Sequence, residues 1–146
     1  MKKDWHRIVP DVYALLLKDD QILLTKRQNT GYEDGSYSMP SGHFDGGETA
    51  REAIIRETRE EVGIVLDKEN LQFVHVMNRK SLNHERVDFF FVCKKWQGEI
   101  RNMEPEKCSE VGWYPIDELP KNTIPYVKFA IENFQKGNPY SEFDWS

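Results

Sequence analysis

The chain has 146 residues, with 20 Lys and Arg against 25 Asp and Glu, a net charge of −5 and an isoelectric point near 5.4. That length suits a single domain over residues 1–146 with a core of its own, and the acidic balance argues against nucleic-acid polymers or anionic membranes as partners, since both need a dominant positive field. Cys93 and Cys108 form no C-x-x-C pair, the polar N-terminus lacks the apolar run of a signal peptide and no segment reaches membrane-spanning length, so the expected setting is a reducing cytoplasm.

Val12 to Lys18 and Gln21 to Arg27 are β-rich runs separated by Asp19-Asp20, which predicts a hairpin. Gln28 to Gly35 is polar and glycine-bearing and reads as a loop. Tyr37 to Pro40 reads as a short extended piece, because the residue before a proline avoids the helical region. Asp45 to Thr49 supplies turn and cap residues for a helix over 49–62 that stops at Gly63. Leu71 to Arg79 and Arg86 to Trp96 read as two further strands, the second too apolar through Phe89-Phe90-Phe91-Val92 to be an exposed edge. Gly112 to Ile116 predicts another short strand. Pro125 to Lys136 reads as an amphipathic helix, with Tyr126, Phe129, Ala130 and Phe134 as its apolar stripe and Gly137 beyond it. The tail from Tyr140 to Ser146 reads as an aromatic, acidic strip packed on the domain or on a partner subunit. Strands on both sides of a central helix, with a second helix near the end, predict an α/β fold in which a mixed sheet is packed between helices.

The helix over 49–62 carries the chemistry. At about 100° per residue, Glu57, Glu60 and Glu61 share a face and repel one another unless a cation sits among them. Ala50, Ala53 and Ile54 lie on the same broad arc, so these carboxylates extend the apolar side. Ordinary surface ion pairs among Glu52, Arg56, Arg59 and Glu60 are the bland alternative, each worth about 0.3–0.5 kcal/mol. A cluster of oxygen ligands with open positions suits Mg²⁺ or Mn²⁺ and leaves room for substrate phosphates.

Gly42 to Ile64 resembles the Nudix box, G-x5-E-x7-R-E-U-x-E-E-x-G-U, with Gly42, Glu48, Arg56, Glu57, Glu60, Glu61 and Gly63 at its fixed letters and Ile64 at the last aliphatic position. Thr58 stands where the pattern has a bulky aliphatic residue. The resemblance implies the α/β/α sandwich of Nudix hydrolases and a Mg²⁺-dependent phosphoanhydride hydrolase. It assigns Glu60 and Glu61 as first metal ligands, Glu57 as ligand or general base, and the Ser41 carbonyl as a further ligand. Arg56 orients Glu57, and Glu48 holds Arg56 or a water.

The run from Asn102 to Cys108 resembles the N-x-E-P-E-K segment of Nudix nucleoside triphosphate pyrophosphohydrolases, with Glu104 as the distal ligand and Glu106 as runner-up. Arg27 matches a phosphate-contacting position of the family, with Lys26 beside it and Arg79 and Lys80 as further cations. Together with His43 and Trp113, these features are most similar to enzymes that cut a nucleoside triphosphate, oxidised or modified ones included, into monophosphate and pyrophosphate. On that reading His43 meets a phosphate, Met39 and Phe91 flank a base, and Asn122 reads its edge. The partner is a small nucleotide, and the protein a monomer or homodimer. Two alternatives stand beside it: a hydrolase of another nucleoside diphosphate linked to X, such as a nucleotide sugar or dihydroneopterin triphosphate, and a non-catalytic module that senses a nucleotide.

Overall fold

The structure is a computed structural model describing residues 4–146; Met1, Lys2 and Lys3, part of the polar N-terminus read above, lie outside the described residues. β1 (Val9–Lys18) turns at Asp19, whose φ of 55° is left-handed, into β2 (Gln21–Arg27). The two strands share only the pairs Leu17↔Ile22 and Lys18↔Gln21. Upstream of those pairs β1 takes a different neighbour. After β3 (Tyr37–Ser38), which pairs with β2, the chain enters β4 (Ser41–His43), antiparallel to β1 through Asp11↔His43 and Tyr13↔Ser41. This exchange of partners presses the Gly42 loop against the middle of the sheet.

α1 (Ala50–Val62) begins with a capping box: the Thr49 side chain accepts from the Glu52 N–H, and the Glu52 carboxylate accepts from the Thr49 N–H. It ends at Gly63, which has a φ of 74° and donates its N–H to the Arg59 carbonyl. A 3-10 turn (Lys68–Asn70) leads into β5 (Gln72–Lys80) and β6 (Glu85–Cys93). β7 (Cys108–Pro115), α2 (Pro125–Gln135) and β8 (Tyr140–Phe143) complete the order. Eight strands form one sheet in the order β3-β2-β1-β6-β5-β8, with β4 on β1 and β7 on β2. β1 with β6 and β5 with β8 are parallel and the other pairs antiparallel. The expected mixed sheet between helices is therefore present.

Alternation along β1 assigns its residues to two cores. Val12, Ala14 and Leu16 pack with Ala53, Ile54 and Val62 of α1, whereas Tyr13 and Leu15 pack with Val127, Ala130 and Ile131 of α2. Each fully buried Leu or Ile contributes about 1.5–3 kcal/mol. Thr58 is buried among the α1 contacts and satisfies its hydroxyl by donating to the Ile54 carbonyl at 2.9 Å. The hydroxyl at that aliphatic position is thus accommodated inside the helix itself.

Several expected boundaries shift. β1 starts at Val9, and β7 starts at Cys108 because its register with β2 runs back to Arg27. β6 ends at Cys93, and Trp96 instead stacks on Trp113, ring centroids 6.0 Å apart. Phe129 does not belong to the buried stripe of α2: it is exposed and touches Phe143, while Val127 and Ile131 take the core positions. The tail does pack on the domain, as a strand parallel to β5. Among the described residues, no helix is long and apolar enough to cross a membrane.

Candidate active site

Glu57 and Glu61, one helical turn apart on α1, lean under the Gly42 loop and are partly buried, whereas Glu60 points outward and is exposed. The Glu61 carboxylate accepts from the Ser41 N–H at 3.1 Å. Desolvation holds its pKa well above the usual carboxylate range, with Glu57 and Glu104 raising it further and the Ser41 N–H and Arg27 opposing them. Burial also raises Glu57, against the pull of Arg56, and Glu60 and Glu104 add to the rise.

Arg56 ties these groups to the loop. Its guanidinium donates to Glu57 at 2.8 Å, to both oxygens of Glu48 at 2.8 and 3.2 Å, and to the His43 carbonyl at 3.0 Å. Glu48 also accepts from the Asp45 N–H, and both bonds hold its pKa down. The cation among the box carboxylates here is therefore Arg56. Among the described residues, no three acidic, His or Cys side chains close on one point; Glu60 in particular is drawn 3.4 Å from Arg56.

The segment after β6 delivers the fourth carboxylate. The Arg101 and Met103 N–H groups bond the Val62 and Glu61 carbonyls, and Asn102 accepts from the Glu104 N–H while donating to the Cys108 carbonyl. Glu104 is thereby fixed beside Glu61 on the wall of a cavity of about 140 Å³ that Lys26, Arg27 and Lys107 also line. Glu106 is exposed and faces neither this cavity nor the neighbouring cleft.

A hard divalent cation fits this donor set. Every candidate side chain offers oxygen, Glu61 is a partly buried carboxylate without a cationic hydrogen-bond partner, and Gly42 leaves the Glu57 carboxylate room that no side chain could share.

A larger cleft of about 320 Å³ opens on the α2 side of the Gly42 loop, lined by Asp11, Tyr32, His43, Arg79, Arg86 and Tyr126 among others. Its floor is a charge network of which sequence reasoning named Arg79 but not Asp11, Arg86 or Asp88. Arg79 holds Asp88 with two bonds, at 2.8 and 3.3 Å, and stacks 3.7 Å above the Tyr126 ring. Asp11 accepts from Arg86 at 2.7 Å and pairs with His43 Nδ1. Two arginines and two aspartates of this network balance, and Arg27 adds a further positive charge to the cleft wall. The one signal available was the occurrence of Asp11 and Asp88 inside otherwise apolar strands.

The expected substrate contacts fare unevenly. His43 and Arg27 line the cleft, though Arg27 also donates to the Tyr32 carbonyl and the Thr30 hydroxyl. Met39 is only 1% exposed and lies in the α2-side core, so it flanks no open base site. Phe91 is buried on the α1 face, beneath Arg51 and across the sheet from the cleft. The Asn122 side chain donates to the Gly35 carbonyl at 2.7 Å, and that bond fastens the loop after β2. Of the further cations, Arg79 is committed to Asp88 and Lys80 lies over the Trp145 ring.

Comparison with known proteins agrees with the box. The family model for the NUDIX domain matches residues 7–133. The chain belongs to the Nudix family. It is similar to an ADP-ribose pyrophosphatase of Methanocaldococcus jannaschii, 28% identical over 80% of this chain and 68% of the relative. It also matches the NAD-capped RNA hydrolase NudC of Photorhabdus laumondii, 32% identical over 78% of this chain but only 42% of that protein, so it spans less than half of NudC. Among solved structures, the MutT NUDIX hydrolase of Burkholderia pseudomallei superposes with a TM-score of 0.80 at 27% identity, covering 87% of this chain and 98% of that one. The protein is a Nudix hydrolase whose box helix, distal carboxylate and polar cleft meet at the Gly42 loop.

Proposed function

We propose that this Nudix hydrolase acts as one domain, in the cytoplasm, on a small nucleotide, cleaving a nucleoside triphosphate to monophosphate and pyrophosphate with Mg²⁺. The observation that carries the reading is the meeting of two unlike surfaces. Glu57 lies against Gly42, Glu61 and Glu104 share the wall of a small cavity, and a polar cleft of nucleoside size, lined by Gly42, adjoins that cavity at Arg27.

In this reading Glu57, Glu60, Glu61, Glu104 and the Ser41 carbonyl hold the metal, with Mn²⁺ an acceptable substitute. When bound, such an ion would supply charge neutralisation for the phosphates and a water of lowered pKa. The residues themselves position and shield. Arg56, braced by Glu48, keeps Glu57 oriented to hold a metal or to take the proton of the attacking water. Arg27 faces a phosphate, and His43, paired through Nδ1 with Asp11, lines the cleft and meets a phosphate there. The water oxygen bonds to phosphorus, the bridging P–O bond breaks, and pyrophosphate and monophosphate separate.

A second reading, hydrolysis of a nucleoside diphosphate linked to X, is favoured by the ADP-ribose pyrophosphatase among the relatives. Release of pyrophosphate against phosphate from ordinary and oxidised triphosphates, nucleotide sugars and ADP-ribose, with and without Mg²⁺, tests both. Metal-dependent pyrophosphate release from a triphosphate is the expected result. Turnover confined to diphosphate-linked compounds would replace it with the second reading, and binding without turnover would leave a sensing module.

A further inference from the structure

The small cavity beside Glu61 and Glu104 has a composition that the reaction alone does not require. Lys26, Arg27 and Lys107 line it with those two carboxylates. Once the carboxylates are neutralised by cations, three positive side chains remain. Lys107 is the most available of them. Lys107 is exposed and its ammonium has no partner among the described residues, while Lys26 lies 5.6 Å from the Tyr37 ring and acts on Glu110, opposite it on β7.

The wall that carries Lys107 is held in place. The Gln28 N–H bonds the Lys107 carbonyl, the Gln28 amide bonds the Pro105 carbonyl at 2.6 Å, and the Asn29 amide bonds the Glu106 carbonyl at 3.2 Å. These bonds clamp the loop after β2 to the turn before β7, so the backbone that carries Lys107 is set before any ligand arrives. Size adds a second restriction. A cavity of about 140 Å³ holds roughly four to five water volumes, below the roughly 300 Å³ at which pockets enclosing a drug-sized ligand begin. The adjoining cleft, at about 320 Å³, meets that size.

We infer that the small cavity seats the terminal phosphate of the substrate, with Lys107 and Lys26 as its charge partners, and so selects a leaving pyrophosphate over a leaving sugar phosphate. This rests on the proposed hydrolysis and orients its substrate: nucleoside in the cleft, phosphates past Arg27, which lines both spaces, and last phosphate against Lys107. Ammonium groups suit that position, since they meet a freely rotating terminal phosphate as point charges.

The test uses the full chain and inorganic pyrophosphate as probe. Calorimetric titration with magnesium pyrophosphate should show affinity about tenfold weaker in Lys107→Gln and weaker again in the Lys26→Gln, Lys107→Gln double variant, with Lys107→Arg near wild type. In kinetics, Lys107→Gln should raise KM for the triphosphate more than it lowers kcat. It should also narrow, by about tenfold, the preference for the triphosphate over a nucleotide sugar of the same base. Pyrophosphate affinity unchanged within twofold in the double variant, or equal losses on both substrates, would overturn the assignment. A wild type that binds pyrophosphate through Lys107 yet turns over no triphosphate would remove the proposed function and leave the anion site standing.

Discussion

A Cβ added to Gly42 would lie 2.1 Å from Cδ of Glu57 and 2.3 and 2.5 Å from its two carboxylate oxygens. The obstacle is the far end of a flexible side chain, so Gly42→Ala should fold with a melting temperature within about 5 °C of wild type. Glu57 must move aside, however, and lose its place beside Gly42. Turnover should fall by about 100-fold or more. Thermal melts and metal-dependent kinetics check the pair of outcomes; an alanine variant with near-wild-type turnover would remove Glu57 from the site.

Glu61→Gln should separate stability from activity. Its raised pKa means that Glu61 binds its proton more tightly in the folded chain than in the unfolded one. Its contribution to stability is complete below about pH 4, and is lost as pH rises through the raised folded value. Glutamine does not titrate. Without metal, the variant should match wild type near pH 4 and become more stable by about 1–3 kcal/mol toward neutral pH. Mg²⁺ should close or reverse that gap, since a ligand at about 100 times its Kd stabilises the binder by about 2.7 kcal/mol. Melting curves across pH, with Mg²⁺ and with chelator, read both effects, and turnover should drop by orders of magnitude.

Arg56→Lys keeps the charge and loses the fork. A single ammonium cannot span Glu48, Glu57 and the His43 carbonyl at once. Turnover should fall about 10- to 100-fold, and stability by about 1–2 kcal/mol. Denaturant titration beside steady-state kinetics measures the two losses.

The loop carboxylates give a direct contrast. Glu104 shares a cavity wall with Glu61 and raises the pKa of both Glu57 and Glu61, while Glu106 is exposed and contributes its backbone carbonyl to Asn29. Glu104→Gln should lower turnover about 10- to 100-fold at limiting Mg²⁺ and recover in part at high Mg²⁺. Glu106→Gln should stay within about twofold of wild type. A reversed order in Mg²⁺ titrations of activity would exchange their roles.

The parts of this fold that were legible from sequence are those whose signals are local. β2 and α1 carry their own periodicity, cap and stop residues, and their bounds fall within one residue of expectation. β4 and β8 have three and four residues, and they are strands only because β1 and β5 offer edges to pair with. The same divide runs through the candidate site. Glu57 and Glu61 follow from helical spacing, whereas Asp11 and Arg86 are 75 residues apart and meet only because β1 and β6 run parallel. Met39 and Phe91 were misplaced for a related reason: an apolar residue near the site carries no mark of how deeply it is buried, as Met39 is, or of which face it occupies, as Phe91 shows.

The alternation of β1 sorts its residues into two groups with different neighbours. Val12, Ala14 and Leu16 are tied to the box helix, while Asp11 and Tyr13, their immediate neighbours, border the cleft. Substitutions at Asp11 and Tyr13 act on the cleft and the α2-side core, and those at Val12, Ala14 and Leu16 on the packing that sets the carboxylates. What the cleft accepts and where the carboxylates stand are therefore written on alternate residues of one strand.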